Sequence, residues 1–202
     1  MCVGEECPDL IPGIDYSIQG HPEFAAALSN SIEKAGFPGG QSRTLNHRFD
    51  YGSLVPLTYL DPDFSLPVVL LGCCVMADIR ECMAVGAAVS QAAKESGRRV
   101  GFLASTALSH RLVRGPDRWP TDDEQRRDRE FIDLVCCGNI DEARAQFVAY
   151  SRAVTAEMGG RKLATFLGTL NSDTQYIGKQ YGDYGQSSGS GNASFLLTES
   201  AD

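Results

Sequence analysis

Apolar positions repeat with a helical period behind His21-Pro22-Glu23, where Phe24, Ala27, Leu28 and Ile32 share one face up to Ala35-Gly36. Proline in a first turn and glycine past the last periodic residue are the expected bounds of such a helix. A second helical face covers residues 78–96, with Ile79, Cys82, Met83, Gly86, Val89 and Ala93 on one side and Gly97 as its stop. Residues 54–60 begin a helical or mixed segment interrupted by Pro56, and Asp61-Pro62-Asp63 is a turn. Two runs lose the helical period and turn continuously apolar, residues 66–72 and 99–104. The first reads as a strand buried on both faces, as central parallel strands are, and the second as the next strand. With the helix between them they form a strand-helix-strand unit, whose connection is right-handed in an α/β sheet.

Further along, residues 117–129 are dense in charge and read as a solvated loop leading into a helix over 129–137, stopped by Gly138-Asn139. Residues 141–150 and 151–170 read as two more helices. The second contains Gly159-Gly160, and each glycine costs about 1 kcal/mol in a helix interior unless something must approach closely there. Residues 181–192 are glycine-rich and read as a flexible linker, followed by a short strand over 194–197. The expected fold is α/β, a mixed sheet flanked by helices in one domain over residues 1–202. The first strand signal comes only near residue 66, which is late for that class.

Composition narrows the partners. Of 202 residues, 43% are hydrophobic and 22% charged, a globular balance. A net charge of −8 argues against gripping a nucleic-acid backbone, which takes a clustered basic face. No apolar run reaches the roughly 20 residues of a membrane helix. Met1-Cys2-Val3-Gly4-Glu5-Glu6 has neither the basic start nor the apolar core of a secretory signal, so the expected location is cytoplasmic. Seven cysteines, at 2, 7, 73, 74, 82, 136 and 137, contain no C-x-x-C pair; the adjacent pairs are expected to be small buried apolar side chains in a reducing compartment.

Candidate chemistry centres on His110. It follows the run Val100-Gly101-Phe102-Leu103-Ala104-Ser105 and the small polar turn Thr106-Ala107-Leu108-Ser109. Ligands and catalysts gather at the carboxyl ends of strands in α/β sheets, so an imidazole there is suited to proton transfer; a structural histidine is the competing reading. His21 and His47 fall at a helix start and in a polar loop. Asp50-Tyr51-Gly52 sets a carboxylate and a phenol on a turn, able to hydrogen-bond an aromatic or phenolic ligand. Glu157 stands before Met158-Gly159-Gly160, where one carboxylate alone makes no metal site. The glycine-rich tail lacks the G-x-G-x-x-G and GK[ST] patterns of phosphate loops, and no G-x-S-x-G elbow marks a hydrolase.

Taken in order, four motifs resemble the class III extradiol ring-cleavage dioxygenases, the superfamily of the protocatechuate 4,5-dioxygenase catalytic subunit. They are Arg48-Phe49-Asp50-Tyr51-Gly52-Ser53-Leu54-Val55-Pro56-Leu57, Pro67-Val68-Val69, Leu103-Ala104-Ser105-Thr106-Ala107-Leu108-Ser109-His110 and Ala156-Glu157-Met158-Gly159-Gly160. The resemblance runs from about residue 21 to 197. Tyr51, where many members carry histidine, and Gly189-Ser190-Gly191-Asn192-Ala193 are similar to the 2-aminophenol 1,6-dioxygenase branch.

That resemblance implies an extradiol-type α/β fold lacking its first strands, and a non-haem Fe(II) site of two histidines and one glutamate. Glu157 matches the glutamate, His110 the histidine that handles protons beside bound oxygen, and Tyr51, with Asp50 next to it, a substrate-side position. The implied reaction opens a catechol or 2-aminophenol type ring with both atoms of O₂. The family's iron-binding histidines lie on earlier strands, and neither His21 nor His47 matches them. The resemblance therefore implies one of two things: an amino-terminally shortened dioxygenase subunit, or a metal-free α-type structural subunit of a two-subunit aminophenol dioxygenase. Either would assemble with itself or with a paralogous subunit, and would bind neither nucleic acid nor membrane.

Overall fold

The structure, a computed structural model, describes residues 16–42, 48–111, 113 and 118–200. Helix α1 (Pro22–Lys34) starts at His21, whose Nδ1 accepts the Phe24 amide at 3.2 Å. Helix α2 (Tyr51–Leu60) starts earlier than its apolar pattern, because Asp50 Oδ1 caps it by accepting the Ser53 amide at 2.8 Å. Pro56 is accommodated inside α2. Helix α3 (Ile79–Ser96) has a reciprocal Asp78/Glu81 capping box and ends on Gly97 in the left-handed conformation, φ 64°.

Helix α4 (Asp122–Cys136) corrects the expectation of a solvated loop over 117–129. Thr121 and Glu124 form a capping box, so the charge-rich segment is the first half of the helix, and Glu124 and Asp128 are buried. Helix α5 (Ile140–Ala153) is followed by a 3-10 turn (Glu157–Gly160) and helix α6 (Arg161–Thr169). The expected single helix over 151–170 is thus broken, and Gly159-Gly160 lie in the break. The glycine-rich stretch is no linker either. It belongs to an antiparallel hairpin of β1 (Tyr176–Ser187) and β2 (Ser190–Glu199), with a register irregularity between Tyr181 and Gly185.

The main core lies between α4, α5, α6 and the hairpin. Phe131 and Tyr150 stack at 4.6 Å between centroids, and Phe147, Val135, Val154 and Leu167 are fully buried beside them. Each such side chain contributes roughly 1.5–3 kcal/mol by leaving water. Helix α3 lies close against α6 because glycines face each other: a methyl on Gly86 would overlap the Thr165 carbonyl, and one on Gly168 the Met83 carbonyl. A smaller cluster joins α1 to α3 through Leu28, Val89 and Ala92.

The mixed sheet with two-face-buried central strands is corrected. Among the described residues the only sheet is the two-stranded hairpin, supplemented by isolated bridges such as the parallel Gly20 with Val68. Val69, Leu71 and Phe102 pack on the α1/α3 cluster, whereas Leu70 is 43%, Val100 40% and Leu103 47% exposed. The two runs are therefore at most half-buried, against the α1/α3 cluster, and are not covered on both faces. A continuous apolar run specifies strand propensity, but a ladder also needs neighbours, and among the described residues Gln19–Gly20 is the one that bridges either run. The cysteine expectation is corrected: in the adjacent pairs Cys73 and Cys136 are half-buried and Cys74 and Cys137 exposed, whereas the isolated Cys82 is buried.

Candidate functional site

Residues 107–110 run between two other segments. On one side Ser109 bridges Ala156, with the His110 amide donating to Thr155 O at 3.1 Å and the Glu157 amide to Leu108 O at 3.2 Å. On the other side His110 bridges Ser190, with the Leu108 amide donating to Gly191 O at 2.9 Å and the Gly191 amide to Ser109 O at 2.8 Å. His110 is thus fixed by backbone on both flanks, and its side chain is half-buried. The sequence places it at the end of an apolar run, and the structure joins it to the hairpin and to the Glu157 turn.

That turn is built from left-handed backbone. Met158, Gly159 and Gly160 have φ of 52°, 66° and 80°, which reverses the chain between α5 and α6. Gly160 is required by space as well, since a Cβ there would lie 2.9 Å from Ser151 Cβ and 3.0 Å from the Phe147 ring. Arg161 ties the turn to the start of α3, donating from Nε to Ala77 O and from Nη1 to Met158 O, both at 2.7 Å. The glycine pair does serve a close approach, outside a helix rather than within one.

The turn delivers the Glu157 carboxylate to the end of the 99–105 run. Oε2 accepts the Ala107 amide at 2.5 Å and the Thr106 hydroxyl at 3.0 Å. Lys162 Nζ stands 3.8 Å from Oε1 and donates to Ser105 O at 3.0 Å. The start of α2 meets the same end: a Cβ on Gly52 would lie 3.6 Å from Ser105 Oγ. Asp50 and Tyr51 precede that glycine, Asp50 as the helix cap and Tyr51 as a residue 52% exposed. Glu157 therefore binds residues 106–107 directly, the start of α2 that carries Asp50 and Tyr51 adjoins Ser105 at Gly52, and His110 follows on the same segment. His47 lies outside the described residues, and His21 is a helix cap.

Sequence reading missed the buried group behind His110. Asp128, 0% exposed on α4, accepts the Ser109 hydroxyl at 2.7 Å, the Tyr184 hydroxyl at 2.6 Å and the Tyr150 hydroxyl at 2.8 Å, with the Ser109 amide at 3.3 Å. Burial, with the neighbouring Asp128 charge, pushes both tyrosine phenols up from their ordinary value, so they remain donors. The sequence signal was present: Asp128 shares a helical stripe with Phe131, Ile132 and Val135, a core position held by a carboxylate.

The implied Fe(II) set can be tested on these donors. The resemblance implies Glu157 as the carboxylate ligand, but its oxygens are engaged by Thr106, Ala107 and Lys162, and among the described residues no three His, Cys, Asp or Glu side chains converge. The described residues do not by themselves fit the metal.

Comparison with known proteins places the chain. Residues 3–196 match the family described as the catalytic LigB subunit of aromatic ring-opening dioxygenase. A 3,4-dihydroxyphenylacetate 2,3-dioxygenase of Escherichia coli is 24% identical over 86% of this chain and 65% of its own length. A 2-aminophenol 1,6-dioxygenase beta subunit of Pseudomonas sp is 29% identical over 53% of this chain and 38% of its own length. A MEMO1 family protein of Methanococcoides burtonii is 29% identical over 54% of this chain and 39% of its own length. The chain thus spans between about two fifths and two thirds of the relatives it matches.

Proposed function

We infer, from a chain that belongs to the family of catalytic LigB subunits of aromatic ring-opening dioxygenases, that it is a subunit of an extradiol enzyme cleaving a catechol or 2-aminophenol type ring with O₂. The observation that carries this reading is that Glu157 binds the Ala107 amide on the segment that carries His110, while the start of α2, next to Asp50 and Tyr51, adjoins the same segment at Ser105. Those are the positions at which the resemblance put substrate-side, metal-side and proton-handling groups.

In this reading His110 moves a proton to or from the hydroxyl or amino group of the bound ring, a task suited to an imidazole near neutral pH. Tyr51 and Asp50 hydrogen-bond the substrate's polar edge, with one Asp50 oxygen already committed to capping α2. Among the described residues Glu157 is the position that matches a metal ligand of the family. The working assembly is an oligomer with itself or a paralogous subunit.

The test is O₂ uptake and ring-opened product with 2-aminophenol and with catechols, after anaerobic loading of Fe(II), for the chain alone and with a paralogous subunit. Product formation that His110→Gln abolishes supports the reading. Absence of uptake in both preparations overturns it.

A second reading, a metal-free structural subunit, is favoured by one observation: Lys162 already sets an ammonium 3.8 Å from Glu157 Oε1. Under it, the chain raises a partner's turnover, while Glu157→Gln and His110→Gln leave that effect unchanged.

A further inference from the structure

We propose that Asp128 is the positioning residue of this site, a buried carboxylate that fixes the His110 segment through Ser109. The assignment to a catalytic site rests on the ring-cleavage reading; the mechanical link stands on geometry alone.

Asp128 is fully buried, and among the described residues no cation pairs with it. Its charge is met by three hydroxyls and one amide, and a carboxylate is the side chain that accepts from all of them while donating to none. An unpaired buried charge is costly, so such a group persists where its hydrogen bonds are complete. Two of the four come from Ser109, next to His110. A third comes from Tyr184 on β1, and Arg129 holds that ring by lying 4.6 Å over its face. Gly191 completes the arrangement. A methyl there would overlap Tyr184 Oη and Asp128 Oδ2 and lie 2.6 Å from Ser109 Oγ, so only glycine lets the hairpin close on Ser109 and His110.

The cluster thus has two sides. Ser109 carries the Asp128 carboxylate to the functional segment, whereas Tyr150 joins it to α5 in the core. A carboxylate that only stabilises the fold would treat the loss of either hydroxyl alike. A positioning carboxylate would not.

The experiment compares Ser109→Ala, Tyr150→Phe and Asp128→Asn in the full chain, each measured for stability and for the ring-proton NMR signal of His110, assigned by its loss in His110→Gln. Ser109→Ala and Asp128→Asn are expected to shift or broaden the His110 signal in the folded protein. Tyr150→Phe lowers stability and leaves that signal in place. Equal displacement by Tyr150→Phe, or an unmoved signal in Asp128→Asn and Ser109→Ala, overturns the proposal. Should Asp128→Asn fail to fold, the Ser109 and Tyr150 pair decides it alone. No turnover is needed, so failure of the ring-cleavage reading is seen separately, as absent O₂ uptake by the unaltered chain.

Discussion

Glu157 Oε2 accepts the backbone amide of Ala107 at 2.5 Å, joining a left-handed turn to the segment fifty residues earlier that carries His110. The bond is charge-assisted, and without it a buried amide loses its partner. Glu157→Ala is therefore expected to cost about 1–3 kcal/mol, and Glu157→Gln less, because the amide oxygen can still accept. Urea unfolding of the three proteins measures both.

Contact between α3 and α6 depends on the absence of two side chains. Gly86→Ala and Gly168→Ala each force helices apart that meet backbone to backbone, at a cost of about 1–3 kcal/mol. Gly40→Ala, with nothing within 4 Å of its Cβ, is the control and should leave the unfolding midpoint in place.

Burial pushes the Cys82 thiol up to about 11 from its ordinary 9.0. Between those values the folded protein keeps a proton that the unfolded chain has lost. The stability linked to Cys82 is full below pH 9.0 and drains away as pH rises towards about 11. Cys82→Ala should flatten the pH dependence of the unfolding midpoint across that window. In native alkylation mapped by mass spectrometry, exposed Cys74 and Cys137 should react before Cys82.

The acid side has its own group. Asp61 accepts the Leu66 amide at 2.8 Å and the Ser65 hydroxyl at 2.9 Å, and the Leu66 bond foremost holds its carboxyl below the ordinary 3.8. Its contribution is present above that value and is lost as pH falls through the lowered one. Asp61→Asn should reduce the slope of acid unfolding followed by circular dichroism.

Helix positions were legible in the sequence because their signals are local: Pro22 and Gly36 bound α1, and Asp78 and Gly97 bound α3. The start of α4 was misplaced because a charge-rich run looks solvated until Thr121 and Glu124 are recognised as a capping box. Residues 66–72 and 99–104 show the limit of pattern. Their apolarity records strand propensity, while coverage depends on which elements lie beside them. At the site, His110 and Glu157 stood out by position and motif, but Asp128 did not, because its partners Ser109, Tyr150 and Tyr184 converge only through tertiary packing.

The bridge from His110 to Ser190 spans eighty residues of chain. During synthesis at roughly 5–20 residues per second, the histidine would leave the ribosome well before the hairpin that flanks it. Until then its segment lacks one of its two backbone neighbours and the floor that Gly191 provides. The site is consequently a late product of folding, with assembly timed by the hairpin rather than by the helices. A chain stalled before residue 190 would carry His110 without the hairpin that flanks it.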